Sequence, residues 1–157
     1  MHLERLVRTN DFALKIANVN GTGSASANGL LMQAIFRMGI PVSGKNLFPS
    51  NIQGLPTWFE VRVNKSGHVS RALDYDLVIA MNAETYARDV KEVRSGGYLL
   101  YDSTWPLDEK LMRDDVTFLG VPLAQMCNEI FKETRERILM KYCAYLVPLV
   151  ALLNFDT

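Results

Sequence analysis

Residues 12–19 form an apolar run that breaks into Asn20-Gly21-Thr22-Gly23, and apolar residues at helical spacing resume by Ala27. Extended chain that passes through glycines into a helix is the opening unit of an open α/β sheet. It constrains everything downstream. A parallel neighbour is reached only through a crossover, so the chain must go on supplying strands with helices between them.

It does so. The pattern predicts a helix over 27–38 with Leu30, Leu31, Ala34, Ile35 and Met38 inward and Gly39 as its stop, then a short second strand over 40–47. A loop rich in Pro, Ser, Asn and Gly follows. Residues 57–64 alternate, turn through Lys65-Ser66-Gly67 and return over 68–73, which reads as a hairpin. Residues 76–82 are continuously apolar after Asp76, as in a central strand covered on both faces. A helix over 83–93 stopped by Ser95-Gly96-Gly97, strands over 98–102 and 116–120, and C-terminal helices complete the reading. The expected fold is therefore α/β: a Rossmann-like open, mainly parallel sheet flanked by helices, with a β-hairpin excursion.

The 157 residues are expected to form a single domain over 1–157, with 48% hydrophobic residues to build one core. Seventeen basic and seventeen acidic residues cancel, so no global charge points to nucleic acid or an anionic membrane. The start carries no apolar signal segment, and Cys127 and Cys143 stand apart without metal-ligand spacing. These features suit a reduced, cytoplasmic protein. Residues 142–155 are uncharged, but 14 residues interrupted by Pro148 fall short of the roughly 20 that span a membrane. A buried terminal helix is expected there, apolar enough to need cover from a partner surface or from the rest of a longer polypeptide.

The glycine loop admits two readings. Gly21 can make the tight turn and Gly23 can let an anion approach the backbone at a helix N-terminus, or the glycines can simply let strand and helix pack closely. A dinucleotide site also needs a carboxylate about 20 residues further on, to hold the ribose. None exists: residues 12–59 contain no Asp or Glu, and their only charges are Lys15, Arg37 and Lys45. That balance suits a phosphate-rich ligand or a packed subunit face, and it demotes a nicotinamide dehydrogenase to the alternative.

At residues 36–63, FRMGIPVSGKNLFPSNIQGLPTWFEVRV, together with NGTGSASANGLL before and DLVIAMN, GGYLLYD and FLGVP after, the chain resembles the gamma domain of 2-oxoacid:ferredoxin oxidoreductases. The likeness is nearest to the gamma portion of the 2-oxoglutarate:ferredoxin oxidoreductase alpha subunit, and it extends over residues 12–156. The resemblance implies an enzyme complex that decarboxylates a 2-oxoacid on thiamine diphosphate with Mg²⁺. Electrons pass through [4Fe-4S] clusters to ferredoxin, and an acyl-coenzyme A is released. It also implies that this domain carries neither thiamine nor clusters, packs on the thiamine-binding alpha and beta subunits or domains, and serves coenzyme A access. The chain shows no cluster-spaced cysteines and no Gly-Asp-Gly run of the thiamine–Mg²⁺ kind. It departs from many members in lacking an Arg-Gly-Gly segment after the second strand, where Ser50-Asn51-Ile52-Gln53-Gly54-Leu55-Pro56 stands instead. The alpha subunits also continue well beyond residue 157, so the chain is read as a separate gamma subunit or as part of a longer one.

The candidate cofactor-binding residues are Gly21, Thr22, Gly23 and Ser24 in the loop, Lys45 near the second strand's end, and Asn51, Gln53 and Gly54 in the following loop. No catalytic and no metal-ligating residue is assigned. Asn51 and Gln53 offer neutral amides to a pantetheine or to a neighbouring backbone, or else fold their own loop. Of Trp58 and Phe59, one should face the core and the other a helix or partner. Asp102-Ser103 reads as a turn or cap, Arg135 and Arg137 as a solvated helix face, and His68 as exposed. Ser24 and Ser26 lack a base, so they cap or bind rather than attack.

Overall fold

The computed structural model describes residues 8–48 and 52–153. Six strands form one sheet: β1 (Asp11–Val19), β2 (Val42–Leu47), β3 (Pro56–Asn64), β4 (Tyr75–Ala80), β5 (Val93–Asp102) and β6 (Thr117–Val121). Their order is β2-β3-β1-β4-β5-β6. β1, β4, β5 and β6 are mutually parallel, while β3 runs antiparallel to β1 on one side and to β2 on the other. β1 and β2 therefore point the same way with β3 threaded between them. The helices are α1 (Ser24–Arg37), α2 (Tyr86–Glu92), α3 (Leu123–Ile130), α4 (Thr134–Ala144) and α5 (Leu146–Leu152). A mainly parallel sheet flanked by helices is the architecture the sequence indicates.

Alternation along β1 sorts the two faces. Phe12, Leu14 and Ile16 meet Leu31 and Ile35 of α1 together with Tyr142, Tyr145 and Leu149 from the C-terminal helices. Ala13 turns the other way and joins Tyr86 and Val90 of α2, with Val78 and Leu99 between. β4 is buried almost throughout because it lies at the centre of the sheet with cover on both faces.

Three expectations are corrected. Residues 68–73 form no strand; β3 cannot take them as a partner because β1 and β2 already occupy both of its edges. The hairpin is instead the β2–β3 pair, closed by the loop that precedes Pro56. The helix after the glycine loop begins at Ser24, and its buried stripe is Ser24, Ala27, Asn28, Leu31 and Ile35, whereas Leu30 and Ala34 face outward. Ser95-Gly96-Gly97 lies inside β5 rather than in a stop between elements. There Gly96 has a φ of 76° and the pairing with β4 shifts register, as in a bulge. A Cβ on Gly97 would lie 2.9 Å from the Asp76 carbonyl oxygen, so glycine is required where the strands come closest.

On the face away from α1, a buried polar cluster locks α2 to the sheet. Lys15, only 1% exposed, pairs with Glu92 and lies over the Trp58 and Tyr75 rings at 5.3 and 5.4 Å. The Trp58 indole donates to Asp89 at 2.9 Å, and the Thr85 hydroxyl donates to the same carboxylate at 2.5 Å. Burial pushes Asp89 up to about 6 against these two bonds. One cation of the acid-free segment is thus consumed within the fold. Trp58 and Phe59 are both buried, Trp58 against α2 and Phe59 in the α1 core.

Candidate functional site

β1 feeds α1 on one face and β4 feeds α2 on the other, so the strand order diverges between β1 and β4. Open α/β sheets bind ligands at the carboxyl ends of strands at such a switch point. Here the glycine loop leaves β1. Gly21 and Gly23 have φ of 83° and 84°, left-handed values that glycine adopts without strain, and Gly23 is the cap residue of α1. No side chain caps α1 and no acid stands in its first turn, so the N–H groups and positive end of the helix are left for something else.

The loop is held from two sides. The Asn20 N–H donates to the Leu55 carbonyl at 2.9 Å and the Gly54 N–H to the Asn20 carbonyl at 2.9 Å, which stitches the β2–β3 loop to it. Gln53 lies so close that a Cβ on Gly21 would be 2.5 Å from its Cγ. From the other side α4 crosses above: Leu139 packs at Gly23, and the buried Tyr142 faces Thr22. The Thr22 hydroxyl itself donates to Val19 at 2.7 Å. Tyr145 donates to Asn28 of α1 at 2.8 Å, and burial raises the pKa of both phenols.

Two cavities flank this loop. The larger, about 670 Å³, lies between Gly21-Thr22-Gly23, Ser26 and the start of α4, with Thr134, Arg135, Ile138 and Leu139 on the far wall. The N-termini of α1 and α4 both border it, and Arg135 is exposed at its rim without an ion pair among the described residues. The smaller, about 220 Å³, lies under the loop against β1, β2 and β3 and has a neutral lining that includes Asn18, Ser24, Asn46 and Phe48.

Of the residues anticipated from sequence, Gly21, Thr22, Gly23, Ser24, Gln53 and Gly54 come together here. Asn51 lies outside the described residues. Lys45 does not join the loop: it pairs across the sheet with Glu60 and lines a separate 90 Å³ hollow with Arg71 and Tyr75. Sequence reasoning left Arg135 as a solvated charge. Asp102 proves to be a cap, fully buried and accepting from the N–H groups of Thr104 at 3.1 Å and Ala124 at 3.2 Å. Among the described residues no three His, Cys, Asp or Glu side chains converge as a metal-binding set, and no helix is long and apolar enough to cross a membrane.

An α/β domain whose glycine loop meets a helix N-terminus at the switch point belongs to the Rossmann-like class of open-sheet folds. Within that class, residues 13–156 match the family described as pyruvate ferredoxin/flavodoxin oxidoreductase, and the chain belongs to that family. It is 29% identical over 121 residues to the alpha subunit of 2-oxoacid:ferredoxin oxidoreductase 2 of Aeropyrum pernix, covering 77% of this chain and 18% of that one. Its fold matches 2-oxoglutarate:ferredoxin oxidoreductase from Magnetococcus marinus, solved with 2-oxoglutarate, coenzyme A and succinyl-CoA bound. That match has a TM-score of 0.68 at 22% identity over 83% of this chain and 23% of the other. The gamma subunit of a keto/oxoacid ferredoxin oxidoreductase from Geobacter sulfurreducens matches with a TM-score of 0.69 at 18% identity, over 90% of this chain and 76% of that one. The chain thus spans about a fifth of the curated relative it matches, and its homologues are subunits of multi-subunit oxidoreductases.

Proposed function

We propose that the chain is the gamma domain or subunit of a cytoplasmic, thiamine-diphosphate-dependent 2-oxoacid:ferredoxin oxidoreductase acting on 2-oxoglutarate. In this reading the domain contributes to assembly and to coenzyme A access and is inactive alone. Thiamine diphosphate, Mg²⁺ and the [4Fe-4S] clusters belong to partner subunits or domains, which supply decarboxylation and electron transfer to ferredoxin. The single observation that carries the ligand role is the 670 Å³ cavity where the glycine loop, the uncapped N-terminus of α1 and Arg135 converge. Backbone N–H donors, a helix dipole and a guanidinium around one space suit a phosphate-bearing substrate. Gln53, which packs on Gly21, would offer its amide to the neutral arm.

Arg135→Ala in the assembled enzyme tests it. The apparent Michaelis constant for coenzyme A should rise about tenfold, the effect of removing one charge-assisted hydrogen bond to a phosphate. The constant for the 2-oxoacid should stay put. An unchanged constant for coenzyme A removes the ligand role and leaves the loop a packing device. The alternative, a free-standing nucleotide-binding module or NAD(P)-dependent dehydrogenase, is opposed by the acid-free segment 12–59, which offers no carboxylate for the ribose. Reduction of NAD or NADP by the purified chain would favour it.

A further inference from the structure

The glycine loop sits at the carboxyl ends of the parallel strands; their amino ends carry a second feature that the proposed function does not use. Two adjoining cavities of about 410 and 310 Å³ open there, both bordered by Arg8, Asp76 and Arg94. Arg8 precedes β1 and the glycine loop follows it, so a nine-residue strand at roughly 3.3 Å per residue puts about 30 Å between the two places. Arg62 and Arg71 complete the smaller cavity's walls, so its lining sets four guanidiniums, drawn from four stretches of chain, against the carboxylates of Asp74 and Asp76. Nothing stands within 4 Å of where a Gly96 Cβ would be, which keeps the β5 wall of the larger cavity low.

Three of the guanidiniums are held by anchored acids. Asp11 accepts from Arg62 at 2.7 Å and from the Asn64 amide at 3.0 Å. Glu60 accepts from Arg71 at 3.0 Å and from the Tyr75 hydroxyl. Asp76 accepts from Arg94 at 2.5 Å and from the Ala13 N–H at 2.8 Å. Asp11 and Glu60 line neither cavity, so they grip their arginines from outside it. A guanidinium anchored by one edge keeps its orientation while its other N–H groups remain to be used. Arg62 is spent, because it also donates to the Phe12 and Val63 carbonyls. Arg71 uses Nε and Nη2 on Glu60, and Arg94 uses Nη1 on Asp76, so N–H groups remain on both. Arg8 is exposed and has no ion pair among the described residues. Asp74 is the loose carboxylate, 58% exposed and 4.0 Å from Arg94.

We propose that this amino-end cleft binds a small, doubly charged oxyanion, a phosphate or a dicarboxylate, through Arg8, Arg71 and Arg94. Guanidinium forks take phosphate and carboxylate oxygens in the same bidentate way, so the two anions share one recognition chemistry. Valence follows from the lining, where four positive charges against two negative ones leave two to be matched. Size agrees, since both cavities reach the roughly 300 Å³ at which small-molecule sites begin. Displacing Asp74 from Arg94 costs little, because a long, exposed ion pair contributes little.

Calorimetric titration of the full chain with inorganic phosphate, succinate and acetate at low salt tests it. Phosphate or succinate should bind saturably in the millimolar range, about fivefold more tightly than the singly charged acetate, and the tighter of the two names the source. Asp74→Asn removes the competing carboxylate and should tighten binding about threefold, whereas Arg8→Gln should weaken it about threefold. Both positions are exposed, so both variants should fold. Arg135→Ala removes the same charge as Arg8→Gln at the other end of the sheet and should leave the affinity unchanged. No saturable heat with either dianion, acetate binding as tightly, or insensitivity to Asp74→Asn or Arg8→Gln would each overturn the proposal. Loss of binding with Arg135→Ala would also overturn it and move the anion to the glycine loop.

Discussion

At the scale of single residues, the constraints with the sharpest consequences are Gly21 and Asp89. Gly21 combines a φ of 83° with a neighbour, Gln53 Cγ, 2.5 Å from where a Cβ would stand. Gly21→Ala should therefore destabilise the chain by about 1–3 kcal/mol through backbone strain and overlap together. Adding Gln53→Ala relieves the overlap but not the φ. The double variant should recover part of the loss by chemical denaturation, and full recovery would show that backbone strain at Gly21 is negligible. Asp89 is governed by burial. In the unfolded chain it ionises near 3.8, whereas the folded protein holds its proton to about 6. Its contribution to stability is thus fully present below about pH 4, is lost as pH rises toward 6, and stays lost above. Asp89→Asn keeps an acceptor for the Trp58 indole and removes the charge. It should raise stability at pH 7 by up to about 3 kcal/mol, leave it nearly unchanged at pH 4, and flatten the slope between. Denaturation curves at the two pH values check this, and a variant less stable at pH 7 would mean that Lys15 and the two hydrogen bonds outweigh burial.

At the scale of elements, the C-terminal helices matter as much to the loop as the strand that feeds it. Tyr145 on the α4–α5 junction donates to Asn28, so Tyr145→Phe removes one buried hydrogen bond and orphans the Asn28 oxygen. A loss of about 1–2 kcal/mol is expected, together with faster amide exchange in the first turns of α1. Slower or unaltered exchange there would separate α5 from the loop. Elements also differ in how legible they are in the sequence. β1 and β4 are plain in it because short, largely apolar runs bounded by turn residues fit strands covered on both faces, and the glycine turn is plain because left-handed φ values favour glycine. Residues 68–73 mislead because alternation reports a capacity to pair, while pairing also needs a free edge, and β3 has none. Arg135 is illegible for a related reason: it acquires meaning only because α4 docks over a loop distant in the chain.

At the scale of the whole molecule, the outer side of the C-terminal helices is apolar where the inner side is already satisfied. Tyr142, Tyr145, Leu149 and Leu152 are buried in the core, yet Val147 is 76% and Val150 is 59% exposed, with Ile138, Leu139 and Met140 also open on α4. Residues 142–153 thus have apolar side chains on more sides than the fold covers. Zero net charge adds no general repulsion to keep copies apart. The chain spans only 18% of the curated alpha subunit it matches, which leaves a large remainder in such proteins to supply a covering surface. The isolated chain is therefore expected to self-associate, and light scattering with a hydrophobic dye should register it. Val147→Glu combined with Val150→Lys keeps the net charge and alters only side chains that the fold leaves outside. This variant should scatter as a monomer, melt within about 2 °C of the unaltered chain because exposed substitutions change stability little, and fail to co-purify with the thiamine-binding subunits proposed above. A monodisperse, dye-silent unaltered chain would show that the face needs no cover. A variant that still assembles would place the subunit contact elsewhere, with the exposed Phe36 and Leu30 on α1 the next surface to alter.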